Sequence, residues 1–474
     1  MPKRETRSTP DKRALAASAA TPAEGAVRGP RKGSGGDAAL AAPIAGTGAA
    51  EKHRRYLFPC ATTYYEEPLT LVRGQGVRVW DDGGRSYLDC FGGVLTVSVG
   101  HCQPEVTEAI VRQAQTLVHC STLYANPVLS DLAETLAGVL PGDLKRLFFT
   151  NSGTEADETA VLLARVFTGN EEVLVLRYGY SGRSMMALAA AGQAPWKPTA
   201  PAMPGFVHAV APYCYRCPLK LTYPSCDVAC ARDLGELIQT ATSGRVAGIL
   251  AEVVIGSGGF IVPPREYFQI VADLVRRAGG LFIADEVQTG WGRTGKMFGI
   301  DHYGVTPDVM TFAKGMANGS PIGCTATTDT IAASLRPLSF STFGGNPVTS
   351  AAALATLRVI QKQNLADNAR VLGDVLNGAL RELQRKYPVI GDVRGLGLMQ
   401  GIELVGENKS PDAPMAARVL EGARHRGVLI GKGGLWSNVI RIAPPLTIGR
   451  AEIDELVAAL DGALADAAGK TGRA

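Results

Sequence analysis

The sequence predicts an α/β protein, with a large unit built on a mostly parallel sheet and a smaller α+β unit. From about residue 130, short apolar runs alternate with segments of helical period, as strands and crossover helices do. Runs such as "GILA" and "FIA" lack in–out alternation, which fits strands covered on both faces. After "FGGNP" (343–347) the pattern changes to long helices followed by short strands.

The candidate strands of the large unit, in order, are "RLFFT" (146–150), "EVLVLR" (172–177), "GILAEVV" (248–254), "GLFIADEV" (280–287) and "DVMTFA" (308–313). Between them lie helical stretches such as "EYFQIVADLVRRAG" (266–279), whose apolar residues recur every three or four positions. The stretch 348–387 reads as long helices, and "VRGLGLMQGIELV" and "NVIRIAPPL" read as strands. Upstream, "GVRVWDDGGRSYLDC" (76–90) reads as a hairpin joining the smaller unit. The expected division is 1–55 tail, 56–110 N-terminal segment of the small unit, 111–345 large unit and 346–474 C-terminal small unit. No internal repeat is present.

The 474 residues are 46% apolar, enough for a large core, and no uninterrupted apolar run reaches membrane-spanning length. No membrane partner is expected. Net charge is +4, and residues 1–55 carry 11 Lys/Arg against 5 Asp/Glu. That Ala/Gly/Pro-rich stretch buries too little apolar surface to order itself and is expected to be a disordered tail. It lacks the apolar core of a secretory signal, and its acids are foreign to a transit peptide. Outside it there is no comparable basic patch, so nucleic acid is not an expected partner. Nine cysteines, an odd number in a long chain, point to a reducing, cytoplasmic setting.

Three stretches carry chemistry. In "FFTNSGTEADETAVLLARVF" a strand runs through Ser152, Gly153 and Thr154 into a helix. Such a helix start is either an ordinary cap or an anion site suited to a phosphate. In "GLFIADEVQTGWGRTG" a strand ends on Asp285 and Glu286, at the edge where α/β sheets bind ligands. An acid there can hold a cationic ring nitrogen. In "DVMTFAKGMANGSPIG", 29 residues further on, a strand end delivers Lys314. A desolvated lysine is a nucleophile toward an aldehyde. Together, a phosphate cradle, an acid and a lysine are what pyridoxal 5′-phosphate needs. The glycines at 315 and 319 read as room for backbone beside such a cofactor.

The stretches "NSGTEA", "ADEVQTGWGRTG", "FAKGMANGSPIG", "TFGGNP", "VRGLGLMQGIEL" and "RIAPPL" occur in the order found in class III (ω-type) pyridoxal-phosphate aminotransferases. The chain resembles that family over roughly residues 60–465. Within it, the chain is most similar to the branch of alanine–glyoxylate aminotransferase 2 and ethanolamine-phosphate phospho-lyase. The resemblance implies fold type I, a homodimer (with a tetramer as the larger alternative), and transfer of an amino group from an amino acid or amine to a keto acid such as pyruvate or glyoxylate. Phospho-lyase action on a phosphorylated amino alcohol is the alternative.

The resemblance also assigns roles. Lys314 would bond the cofactor covalently and move protons, and Asp285 would pair with the ring nitrogen. Ser152, Gly153 and Thr154 would hold the phosphate. Tyr180 would stack on the ring, Val287 would pack on its face and Gln288 would approach the phenolic oxygen. Thr342 would reach the neighbouring subunit's phosphate. Ser181 stands where the family carries histidine, and Gln103 is a similar departure. Arg441 would grip a substrate carboxylate, and Glu252 would pair with such an arginine. Arg394 would be structural. Finally, Cys214, Cys217, Cys226 and Cys230 form an insertion (212–231) with C-x2-C and C-x3-C spacing. Zinc binding, small buried thiols and a redox-sensitive loop are its three readings.

Overall fold

The computed structural model describes residues 48–199 and 203–471. The large sheet has seven strands in the order Arg146–Thr150, Gly323–Thr327, Val309–Phe312, Leu281–Asp285, Gly248–Glu252, Val173–Leu176 and Phe206–Ala209. Gly323–Thr327 runs antiparallel to both neighbours, and the last five strands are mutually parallel. Helices cover both faces, which is why Val173–Leu176, Gly248–Glu252 and Leu281–Asp285 are buried at every position.

Two of these strands escaped the sequence reading. "GCTAT" (323–327) is half polar, yet buried throughout. Its Thr325 hydroxyl donates to Ala156 O and its Thr327 hydroxyl to Asp308 O, so the polar atoms are satisfied without water. "FVHA" (206–209) is an edge strand of four residues with too short a pattern to stand out.

Two four-stranded sheets form the smaller part. Leu71–Gln75, Arg78–Asp81 and Ser86–Asp89 form an antiparallel meander, and Val428–Leu429 adds a parallel fourth strand from the other end of the chain. Ile390–Leu396, Met399–Leu404, Val439–Ile442 and Gly431–Gly433 make the second sheet. The long helices Pro347–Lys362 and Leu365–Lys386 fall where the period predicts.

The tail expected over 1–55 needs correction at its end. Residues 1–47 lie outside the described residues, but Ala49–Tyr56 is a helix. Glu51 in its first turn and His53, Arg54 and Arg55 in its last complement the helix dipole.

The cysteine insertion is tied down by charge. Tyr213 and Arg216 both donate to the fully buried Glu403, which also takes Arg394 Nη1 at 2.7 Å. Arg394 further donates to Asp392 and to Gly259 O, each at 2.8 Å, so its structural role holds. Removing the Glu403 carboxylate would take a buried ion-pair partner from two guanidiniums, leaving Arg394 with Asp392 and Arg216 with Lys409 O. Glu403→Ala is therefore expected to cost about 3–5 kcal/mol, read as a lower denaturant midpoint. A change under 1 kcal/mol would show that the network does not hold the insertion.

Candidate active site

The site is built at the carboxyl ends of three parallel strands. Glu252 pairs in register with Asp285, and Asp285 with Thr311, so the three side chains emerge at one level on one face. The helix Gly153–Thr168 covers that face, and Lys314 lies two residues beyond the end of the Thr311 strand. Gly153, Thr154, Asp157, Tyr180, Ser181, Gly182, Arg183, Glu252, Asp285, Val287, Gln288 and Lys314 enclose a cavity of ≈ 200 Å³. Nine of the residues predicted from the sequence therefore meet in one place.

Lys314 adopts φ 42°, a left-handed conformation that costs a non-glycine residue of order 1–3 kcal/mol. The loop after it is pinned by Asn318, which accepts from Val99 N at 2.9 Å and donates to Gly100 O at 2.8 Å. The glycines around it have other reasons than a cofactor. A Cβ on Gly315 would lie 2.3 Å from Ser98 Oγ, and Gly319 has φ 113° with open space around it. The room they provide is for Ser98 and for a turn.

Burial lowers the Lys314 amine, while the carboxyls of Asp285, Glu252 and Asp157 pull it back up. Burial raises Asp285 to about 6, against the backbone N–H of Val287 at 2.8 Å and the charge of Lys314. Glu252 rises to about 8, through burial first and then the charge of Asp285.

Each predicted residue finds a definite place. Ser152 is the helix cap, its Oγ accepting from Glu155 N at 3.2 Å; Gly153 and Thr154 line the cavity with first-turn N–H groups that no helical carbonyl can reach. The ordinary-cap reading thus holds for the Ser152 hydroxyl, and the anion site rests on its two neighbours. Gly182 has φ 129°, and a Cβ there would lie 2.0 Å from Thr154 Oγ1. Tyr180 packs edge-on against Trp196 with ring centroids 5.0 Å apart, and Ser181 lines the cavity beside it. Gln103 caps the helix Pro104–Thr116 through Val106 N and takes no part in the cavity. Thr342 is exposed on a loop outside its own chain's cavity.

The expected pairing of Glu252 with arginine is not made. Glu252 accepts the Tyr180 and Gly256 N–H groups, each at 2.8 Å, one on each oxygen. Arg441 donates to Lys432 O at 2.9 Å and to Gly256 O at 3.4 Å, and its guanidinium lies over Phe91 at 4.9 Å. The Gly256 peptide thus stands between acid and cation. Arg441 is buried, and its Nε has no partner among the described residues.

The four clustered cysteines line one small cavity of ≈ 20 Å³ away from this site. Among the described residues, no group of three or more His, Cys, Asp or Glu is placed to hold a metal ion, so the zinc reading finds no support. All four are free thiols. Asp157 was missed by sequence reading. The signal was present: it sits with Ala160, Val161 and Ala164 on the buried stripe of its helix, where an acid is out of place.

The cavity suits pyridoxal 5′-phosphate. It offers an amine for the aldehyde, an acid for the ring nitrogen, two free N–H groups for the phosphate, and the buried, unpartnered Gln288 Oε1. A carboxyl raised to about 6 is ionised above that pH and neutral below it. Cofactor affinity is therefore expected to fall as pH drops through about 6, and Asp285→Asn should bind weakly at every pH without that limb. Titration by absorbance checks this; an Asn variant with the same pH profile would overturn the assignment.

A family model described as aminotransferase class-III matches residues 61–464. The mitochondrial alanine–glyoxylate aminotransferase 2 homolog 2 of Arabidopsis thaliana is 42% identical over 413 residues, 86% of each protein. A thermostable (S)-enantioselective ω-transaminase from Thermomicrobium roseum superposes with a TM-score of 0.83 at 37% identity, over 88% of this chain and 98% of that one. A phospholyase from Arthrobacter, solved with phosphoethanolamine, gives 0.81 at 33% identity, over 88% and 99%. On this match, and on a cavity equipped for the cofactor, the chain belongs to the class III aminotransferases, fold type I enzymes that work with pyridoxal phosphate.

Proposed function

We propose that this enzyme takes the amino group of a carboxylate-bearing donor and passes it to a small keto acid such as pyruvate or glyoxylate. The observation that carries the reading is Arg441, a buried guanidinium with an unpartnered Nε that donates from Nη1 to Gly256 O, in the turn after the strand that brings Glu252 to the cavity. A planar fork of this kind grips a carboxylate with two hydrogen bonds. Likeness to alanine–glyoxylate aminotransferase 2 homologues supports the acceptor class.

When bound, the cofactor supplies a carbonyl for the amine and a protonated ring that accepts electron density from the broken C–H bond. The residues of the chain do the rest. Asp285 Oδ2, left free by the Val287 contact, holds the ring nitrogen's proton. The lowered Lys314 amine takes the proton from the donor's amine-bearing carbon and returns it on the far side of the transfer. Glu252 fixes Tyr180 and the 256 turn through backbone N–H groups.

Phospho-lyase action is the second reading, favoured by the likeness to the Arthrobacter enzyme and by Arg183, a cavity-lining cation with no ion pair among the described residues. A homodimer is proposed because Leu338, Phe340 and Phe343 are exposed on the loop that carries Thr342. A cytoplasmic location is proposed from the free cysteines; recovery from an organelle fraction would overturn it.

A donor-by-acceptor screen is expected to show turnover that requires a keto acid, with ping-pong kinetics. Phosphate release without a keto acid would replace this reading with the lyase. Lys314→Ala should lose at least about 10³-fold in turnover, and normal rates would sink the mechanism. Sedimentation should give twice the chain mass, and a catalytically active monomer would refute the shared site.

A further inference from the structure

Asp157 is a third acid lining the cavity, and nothing in the mechanism above uses it. It is 1% exposed and lies on the buried face of the helix Gly153–Thr168. Its hydrogen bond comes from Thr311 Oγ1 at 2.7 Å. Thr311 is the register partner of Asp285 on the neighbouring strand, where Cα atoms stand about 4.8 Å apart. Asp157 and Asp285 both line the cavity, so one threonine separates two buried carboxyls that share one space.

The groups facing Asp157 are Asp285 and Glu252 from the strand ends, Thr311, and Lys314. No lysine or arginine forms an ion pair with it among the described residues. Two ionised carboxylates in this place would each lose solvation and repel the other, with one hydroxyl, one backbone N–H and the single amine of Lys314 to stabilise them. Asp285 has the backbone N–H and the Lys314 charge, so the negative charge belongs there. Burial, and then the Asp285 charge, accordingly push Asp157 well above the usual carboxylate range.

We propose that Asp157 is a positioning residue that remains a neutral carboxylic acid while Asp285 is ionised, so that this pair presents a single negative charge to the ring nitrogen. The inference rests on the cofactor reading of the cavity. With Thr311 donating to Oδ1, the proton sits on Oδ2. A neutral Asp157 keeps Thr311 and Asp285 in register without competing for the ring's proton. An ionised Asp157 would make a second acceptor for it.

Infrared difference spectra of the cofactor-free protein test the protonation directly. Asp157→Asn at pH 7 is expected to remove a carboxylic-acid C=O band, and Thr311→Val to move that band without removing it. Loss of carboxylate bands instead would overturn the proposal. Pyridoxal phosphate titration tests the positioning role. Asp157→Ala should weaken binding about tenfold, and Asp157→Asn, which is neutral and still accepts from Thr311, should recover most of the loss. An Asn variant as weak as the Ala variant would overturn the neutral-acid role. If the unaltered protein bound no pyridoxal phosphate, the cofactor reading would fail, while the infrared result would still decide the charge of Asp157.

Discussion

The register of three parallel strands is the constraint on which the site depends. It brings Glu252, Asp285 and Thr311 to one level, and the helix Gly153–Thr168 closes that level from one side. A slip of one residue would turn every side chain to the opposite face. The full burial of these strands on both sides makes such a slip costly, because each apolar side chain would have to exchange places with its neighbour. The same apolar packing that stabilises the sheet therefore sets the spacing of the acids.

Charge is held here by arrangement and not by numbers. Lys314 faces acids from three elements, and burial works against ionisation of all of them. The acids are satisfied mainly by neutral donors: backbone N–H groups at Asp285 and Glu252, a hydroxyl at Asp157. Neutral donors stabilise a carboxylate without supplying a fixed positive charge, which leaves the site open to a cationic ring. Arg441 is kept apart by the Gly256 peptide, which donates to Glu252 and accepts from Arg441. A direct ion pair would have tied up both groups before a substrate arrived.

Strain is concentrated around the same place. Lys314 is left-handed, and Gly92, Gly93, Val94 and Leu95 form a run with φ between 55° and 65°. Asp89 holds the start of that run through the N–H groups of Phe91 and Gly92, and His101 steadies Asp89 at 2.8 Å. Phe91 in turn lies under Arg441. A hydrogen-bonded anchor in the N-terminal meander thus positions the ring against which the Arg441 guanidinium rests.

The sequence by itself determined the α/β class, most strands of the large sheet, the joining of the two chain ends and nine of the residues that line the cavity. Those features are local: an apolar run, a helix start, an acid or lysine at a strand end. What only the tertiary structure decided depends on what lies across the fold. "GCTAT" became a central strand because distant carbonyls accept its hydroxyls. Glu252 turned to backbone N–H groups because a peptide came between it and Arg441. The clustered cysteines line one small cavity as free thiols. Asp157 gained a role because its helix lies over the strand that carries Thr311, a neighbour 154 positions away that no local pattern can announce.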